Sequence, residues 1–291
     1  MDQPKITQAM IDAFDDYTHL SLDRRDFMRK LQQLAGSAGA AAAIAPLLAA
    51  NGAMADIIPV DDSRLDTGDV NYPGAPGEIK AYMAVPKEAP AKLPAVIVIH
   101  ENRGLNNHIK DVTRRIALEG FVAMAPDLLS PSGGTPSDED KAREMISALS
   151  GDITKSNLIA GLEFLKGFSK STGNVGAIGF CWGGGWVNKL AVAAPDLKAG
   201  VAYYGMQVPA DQVPSIKAPL MLHYAGLDER INKGIEDYKK ALEADHKDFQ
   251  IFIYDKVNHA FNNDTAAARY IQEAADLAWS RTIQFLKEKL V

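Results

Sequence analysis

The only cysteine of the chain stands in a pentapeptide whose residue types could support nucleophilic catalysis. Residues Gly179-Phe180-Cys181-Trp182-Gly183 follow an apolar run that predicts a strand, and the glycines after them open a predicted helix. A sharp strand-to-helix turn needs small neighbours, and it holds its apex side chain out over the edge of the sheet. This pattern predicts a thiol nucleophile at Cys181. The alternative is a small buried hydrophobic residue, which is common for a free cysteine.

A carboxylate and a histidine follow the cysteine in the chain order of a strand-to-helix catalytic triad. Asp228 comes after the predicted strand Pro219–Tyr224, and His259 comes after the predicted strand Phe249–Tyr254. The carboxyl ends of parallel strands meet at one edge of a sheet, where sites form. We therefore expect His259 to take or share the thiol proton and Asp228 to orient the imidazole.

Two backbone N–H groups are candidates for an oxyanion hole. The apolar, β-branched run Ala95–His100 predicts a central strand, and the loop after it begins Glu101-Asn102-Arg103. Such a loop commonly supplies one donor, and the residue after the nucleophile supplies the other. Asn102 and Trp182 are the residues at these positions.

Over residues 82–290 the chain resembles the dienelactone hydrolase (carboxymethylenebutenolidase) family of α/β-hydrolases. The resemblance implies a hydrolase of a small-molecule ester or lactone that works through an acyl-enzyme. It also implies that Glu101 lies beside the thiol and helps to control its ionisation; the alternative for Glu101 is a surface-loop acid. The motifs that carry the resemblance are His100-Glu101-Asn102-Arg103-Gly104, Ala125-Pro126-Asp127, Gly179-Phe180-Cys181-Trp182-Gly183-Gly184, Tyr203-Tyr204-Gly205, Asp228, and His259 with Phe261.

The sequence departs from the family at two positions that would bind the substrate. Pro131 and Asn263 stand where the family has two arginines that grip the substrate carboxylate, and neither can supply a guanidinium fork. Neutral esters or lactones are therefore expected to match or exceed dienelactone. Arg103 and Arg230 could reach the pocket from other directions, or they could make only loop salt bridges. Further pocket candidates are Tyr204 and Trp186, one helical turn after Trp182. The alternative for the two tryptophans is that they only pack the helix that follows the turn.

Two other functions remain compatible with these residues. The same scaffold could cleave a thioester or an activated amide. Alternatively, the protein could be a thiol-based ligand trap or redox sensor without catalysis. A sensor would keep its function without Asp228 and His259, whereas a hydrolase would not.

The elements that must position these residues alternate between strand and helix. Such alternation predicts an α/β fold, here an α/β-hydrolase fold with a mostly parallel central sheet and helices on both faces. Residues 56–291 are read as one domain. The remaining predicted strands are 77–85, 121–125, 174–180 and 200–204, and the predicted helices are 108–119, 138–150, 156–168, 184–194, 233–244 and 265–289.

Composition argues against nucleic-acid-binding, disulfide-stabilised and metal-dependent proteins. The net charge is −6 over 291 residues, which argues against nucleic-acid binding because no basic cluster is present. One cysteine forbids an intramolecular disulfide, and the histidines show no metal-ligand spacing. No metal or cofactor is expected, and the histidines other than His259, including His19, are read as packed or solvated. The oligomeric state is left open.

Residues 1–55 form a separate N-terminal extension. The pair Arg24-Arg25 precedes a run without charge, 31–55, which closes with Ala53-Met54-Ala55. This pattern resembles a twin-arginine export signal and predicts a periplasmic protein, although Asp23 replaces the usual Ser or Thr. The alanine-rich run is a poor permanent membrane anchor. The alternative is a helical extension folded onto a cytoplasmic enzyme.

Overall fold

A single eight-stranded sheet organises the protein. The computed structural model describes residues 5–49, 56–89 and 91–291. The strand order across the sheet is β1-β2-β4-β3-β5-β6-β7-β8. The first two strands pair antiparallel, β2 also runs antiparallel to β4, and the remaining pairs are parallel. The strands are β1 Leu65–Gly74, β2 Gly77–Pro86, β3 Leu93–Ile99, β4 Val122–Pro126, β5 Ser171–Phe180, β6 Ala199–Tyr203, β7 Leu220–Ala225 and β8 Phe249–Tyr254.

Helices pack on both faces of this sheet. Alternate residues of β3 contribute to two different hydrophobic clusters, Ile97 to one and Val98 to the other. The first cluster includes apolar residues of α6, α7 and α9, and the second includes those of α4 and α10. Both faces of the central strands are therefore buried, which explains their continuous apolar sequence. The helices are α1 Gln8–Thr18, α2 Arg24–Ala35, α3 Ala38–Leu48, α4 Asn107–Leu118, α5 Glu139–Ser147, α6 Gly151–Gly167, α7 Trp182–Ala193, α8 Glu229–Asn232, α9 Ile235–Ala244 and α10 Gln272–Leu290.

The predicted α/β-hydrolase fold is confirmed, but several elements differ from their predictions. Helix α6 begins at Gly151 rather than at residue 156, and the short helix α8 was not predicted. Strand β1 was not predicted, because its sequence contains two glycines, a proline and two aspartates that disfavour strands. The last helix begins at Gln272 rather than at residue 265, because 265–271 form turns in which Thr265 bonds to the side chain of Asn263.

Helices α1, α2 and α3, which together we call the N-terminal segment, pack around a hydrophobic cluster of their own. The segment ends before Ala53-Met54-Ala55, whose small-x-small pattern is expected of a signal cleavage site and which lies outside the described residues. No single helix among those described is long and apolar enough to cross a membrane; α2 and α3 pass that test only as a pair bent by 112°. The buried members of the cluster are Met10, Ile11, Ala13, Phe14, Tyr17, Phe27, Leu31, Ala41, Ile44 and Leu48.

Candidate active site

Cys181 occupies the sharp turn between β5 and α7. Its backbone has φ 54° and ψ −115°, a conformation that a non-glycine residue rarely adopts. The neighbouring glycines make this turn possible, because a Cβ on Gly179 would overlap the Gly183 carbonyl. The Cys181 N–H donates to the Tyr203 carbonyl at 3.0 Å. The strained turn therefore presents the sulfur at the carboxyl edge of the sheet.

His259 and Asp228 meet at the same edge. Nδ1 of His259 lies 2.5 Å from Oδ2 of Asp228, and both side chains are buried. The other carboxylate oxygen of Asp228 accepts from the Ile231 N–H at 3.1 Å at the start of α8. Nε2 of His259 is buried and has no hydrogen-bond partner within the described residues. This nitrogen is therefore available for proton transfer at the sulfur.

The charges around the sulfur favour a thiolate. Burial raises the pKa of the Cys181 thiol, but the positive charges of His259 and His19 outweigh burial and bring that pKa to about 6. Burial lowers the pKa of His259, but the charges of Cys181 and Asp228 prevail and raise it well above its ordinary value. A thiolate and an imidazolium are therefore the stable pair near neutral pH.

The predicted oxyanion-hole residues border the same cavity as the thiol. Trp182 begins α7, so its N–H has no acceptor within the helix. Its ring stacks on His100 with 5.3 Å between centroids, and His100 in turn lies 2.7 Å from the Glu101 carbonyl through Nδ1. The side chain of Asn102 donates to the Thr18 carbonyl at 2.7 Å. These contacts hold the loop after β3 and the start of α7 at the edge of the cavity.

A cavity of about 250 Å³ opens over Cys181. Of the predicted pocket residues, Trp186, Tyr204 and Arg230 line it and Arg103 does not. Nε of Arg103 lies 3.3 Å from Glu139 instead. Other members of the wall were not predicted. They include Thr18, His19 and Leu20 from the N-terminal segment, Arg143 of α5, and Lys189 of α7.

Glu101 is buried and is held by Asn263. Its Oε2 accepts from Asn263 Nδ2 at 2.8 Å, so Asn263 fixes the position of this carboxylate. Burial raises the pKa of Tyr204, and the charges of Glu101 and Cys181 add to that rise. Glu101 therefore belongs to the electrostatic surroundings of the thiol and is not a surface-loop acid.

His19, read from sequence as packed or solvated, contacts the sulfur of Cys181. Its Nε2 lies 3.4 Å from Cys181 Sγ, and Asp15 at helical spacing before it was the one available signal. His19, Cys181 and His259 also form a group with metal-ligand spacing. However, Arg230 Nη2 lies 2.9 Å from the same His19 nitrogen. A guanidinium there opposes a second cation, so the group suits an anionic sulfur better than a metal ion.

Comparison with known proteins identifies the family. The model of the dienelactone hydrolase family matches residues 79–290. The chain belongs to the dienelactone hydrolase family. A relative in Escherichia coli O157:H7, provisionally named a carboxymethylenebutenolidase, is 32% identical over 247 residues, covering 80% of this chain and 90% of the relative. One of the same provisional name in Methylorubrum extorquens is 33% identical, covering 79% of this chain and 84% of the relative.

A solved structure supports the same assignment. The crystal structure of a provisionally named dienelactone hydrolase from Klebsiella pneumoniae is 30% identical to this chain, with a TM-score of 0.69. The match covers 76% of this chain and 97% of the Klebsiella chain. The protein is therefore a member of a family of ester and lactone hydrolases. Because the family match begins at residue 79, the N-terminal segment lies outside it.

Proposed function

We propose that this protein hydrolyses a small carboxylic ester or lactone with Cys181 as the nucleophile, through an acyl-enzyme. The observation that carries the proposal is the strained turn at Cys181, with the His259–Asp228 pair beside its sulfur. A low thiol pKa supports nucleophilic attack over the alternative of an inert buried cysteine. The thiol-trap alternative would not need the carboxylate that orients His259.

The proposed reaction has two halves, acylation of Cys181 and hydrolysis of the acyl-enzyme, and His259 transfers a proton in each. The thiolate attacks the carbonyl carbon, a C–S bond forms, and the oxyanion binds the N–H groups of Asn102 and Trp182. His259 then gives the former thiol proton to the leaving alkoxide as the C–O bond breaks. In the second half, His259 removes a proton from water, which attacks the thioester. The acid leaves, and the sulfur departs as thiolate.

The cavity favours a compact substrate. Its volume of about 250 Å³ lies below the roughly 300–1,000 Å³ that is usual for drug-sized ligands. Trp182 and Trp186 supply apolar surface, with 5.8 Å between their rings. The two arginines of the cavity are already paired, Arg230 with Asp15 at 3.8 Å and Arg143 with Asp140 at 3.2 Å. These pairs support the expectation that neutral esters and lactones are good substrates.

A substrate panel tests the proposal. Neutral aryl esters, neutral lactones and dienelactone are compared for wild type, Cys181→Ala, and His246→Ala as an exposed control. We expect Cys181→Ala to lower kcat by roughly 10³-fold or more, while the control keeps full activity. We expect kcat/KM for neutral esters to equal or exceed that for dienelactone. Full activity in Cys181→Ala would refute the thiol nucleophile, and a strong preference for dienelactone would refute the account of the pocket.

We also propose that residues 1–55 direct export through the twin-arginine route. The support is the arginine pair at 24–25, the uncharged run after it and the small residues 53–55. This route carries proteins that are already folded, which suits an enzyme that has no disulfide to form. The competing proposal is that the N-terminal segment is a permanent part of a cytoplasmic enzyme.

A further inference from the structure

The turn after α1 places a second imidazole on the sulfur of Cys181. Besides the 3.4 Å contact between His19 Nε2 and Sγ, the His19 ring meets the His259 ring edge-on, with 4.8 Å between centroids. Sγ and one ring nitrogen of each histidine all lie within 4.8 Å of one another. One imidazole comes from the family domain, and the other comes from a segment outside the family match.

Asp15 orients this second imidazole from one helical turn earlier. His19 Nδ1 lies 2.8 Å from the Asp15 carbonyl and 3.4 Å from its Oδ1. The two pairs differ in one respect: the Asp228 carboxylate itself hydrogen-bonds His259 Nδ1, whereas the backbone carbonyl of Asp15 makes this bond to His19 and its carboxylate lies beside the ring. Burial raises the pKa of Asp15, but the positive charges of His259, His19 and Arg230 outweigh burial and hold it far below its ordinary value. Asp15 is therefore ionised at neutral pH and favours a protonated His19.

Contacts made by residues that precede His19 hold the N-terminal segment on the catalytic domain. The Thr18 carbonyl accepts from Asn102 at 2.7 Å. The Tyr17 hydroxyl donates to Asp140 at 2.5 Å, and the guanidinium of Arg269 lies 5.1 Å from the centre of the Phe14 ring. A buried histidine and carboxylate cost several kcal/mol unless they are paired. These contacts hold the turn after α1 in the position where the His19 and Asp15 side chains are paired.

We propose that His19 is a further catalytic residue, which Asp15 holds so that the imidazole hydrogen-bonds the nucleophilic sulfur. The inference rests on the proposed function, because it requires Cys181 to be the nucleophile. It adds a group from the N-terminal segment to the reacting atoms of the family domain.

The charge on the sulfur determines which partner His19 uses. When the thiol proton moves to His259, His19 takes a proton from solvent on Nε2 and donates it in a hydrogen bond to the thiolate. Its positive charge then adds to that of His259. Arg230 can donate to Nε2 only when that nitrogen carries no proton, so the Arg230 contact belongs to the form with a protonated thiol.

Other charged groups face the two histidines and the sulfur, and all of them remain in the variants below. Asp228 and Glu101 supply negative charge from the loops after β7 and β3. Arg143, Lys189 and Arg230 line the cavity, and Arg269 lies close enough for the Cys181 charge to act on it. Arg230 contacts His19 itself, so the comparison needs a variant that keeps a polar partner for Arg230. His19→Gln, which offers an amide oxygen, separates the loss of the imidazole charge from the loss of that contact.

The test uses the full-length chain and three variants. His19→Phe keeps a ring against His259 but removes both nitrogens. His19→Gln keeps an N–H donor without the charge. His246→Gln is the matched control, because His246 is exposed. The rate of Cys181 alkylation by iodoacetamide is measured from pH 5 to 10, together with kcat for 4-nitrophenyl acetate; circular dichroism verifies folding.

In wild type we expect alkylation to rise through an apparent pKa of about 6. In His19→Phe this pKa should rise by about one unit or more, so that the thiolate fraction, and with it alkylation and kcat at pH 6.5, falls by roughly 3-fold or more. Above pH 9 the alkylation rates of the two proteins should converge. His19→Gln should fall between them, and the control should match wild type.

Two results would overturn the inference. An unchanged pH profile in both His19 variants would show that the contact is passive. Faster alkylation at every pH would show that His19 only obstructs the thiol. Failure of the proposed function is distinguishable, because then wild-type Cys181 would react no faster than in the unfolded chain and Cys181→Ala would remain active.

Discussion

At the residue scale, the Cys181 sulfur is surrounded by partners that act on one another. His259 is positioned by Asp228, and Asp228 also caps α8 through its second oxygen. A change at either residue therefore removes the same oriented imidazole. Groups that act as a unit in one chemical step give losses that do not multiply.

A double-mutant cycle checks this unit. Asp228→Asn retains the cap of α8, and we expect it to lower kcat for a neutral aryl ester by roughly 10³–10⁴-fold, because the imidazole loses its orientation. His259→Ala should cost at least as much, and the double variant should cost little more than the worse single one. Steady-state kinetics measure all three. Losses that multiply would mean that the two residues serve different steps.

At the element scale, the turn between β5 and α7 depends on close backbone packing. A Cβ at Gly183 would overlap the carbonyl of Ile99 at the end of β3. This contact joins the start of α7 directly to the strand whose following loop faces the thiol. The position of the helix and the position of the loop are therefore coupled.

Gly183→Ala tests that packing. We expect it to lower the free energy of unfolding by about 1–3 kcal/mol, because the overlapped atoms are backbone and cannot turn aside. Gly167→Ala is the matched control, since a Cβ there meets open space at the end of α6 and alanine favours the helix. Urea denaturation measures both. Equal stability of the two variants would mean that α7 can move away from β3 without cost.

The sequence predicted those elements whose pattern of apolar and small residues matches their burial in the fold. The buried strands and the turn at Cys181 are marked by apolar runs and glycines, and the family motifs covered the same region. Strand β1 lacks such a pattern, because it lies at the edge of the sheet and pairs with β2 alone. The wall formed by Thr18, His19 and Arg143 was not predictable, because it arises from contacts between distant parts of the chain, as with the 162 positions between His19 and Cys181.

At the scale of the whole molecule, residues 1–55 have two competing assignments, an export signal and a permanent part of the enzyme. The arginine pair belongs to α2, and Nη1 of Arg24 lies 2.9 Å from Asp140 of α5. The side chain of Arg24 remains 78% exposed, so it is still accessible to a receptor. The same segment supplies His19 to the active site. Removal of residues 1–55 after export would therefore also remove that imidazole.

A reporter fusion tests the export proposal. Residues 1–55 are fused to a reporter that functions only when exported in the folded state. We expect periplasmic activity with the native sequence, and loss of it when Arg24 and Arg25 are both replaced by lysine. Arg29→Lys, outside the pair, is the control and should retain export. A reporter that stays in the cytoplasm with the native sequence would favour the permanent extension.

The contact between His19 and the sulfur has a consequence for the susceptibility of the chain to proteases. Alkylation turns the sulfur into an uncharged thioether, which no longer attracts the His19 imidazole that lies 3.4 Å away. We therefore expect derivatisation of the thiol to loosen the turn after α1. The hydrogen bonds of Thr18 with Asn102 and of Tyr17 with Asp140 lie directly before that turn and weaken with it. Trypsin would then cut at the arginine pair of α2 faster in the alkylated protein than in the free one. Alkylation of the Cys181 sulfur would thus be detected as faster loss of the N-terminal residues from the polypeptide.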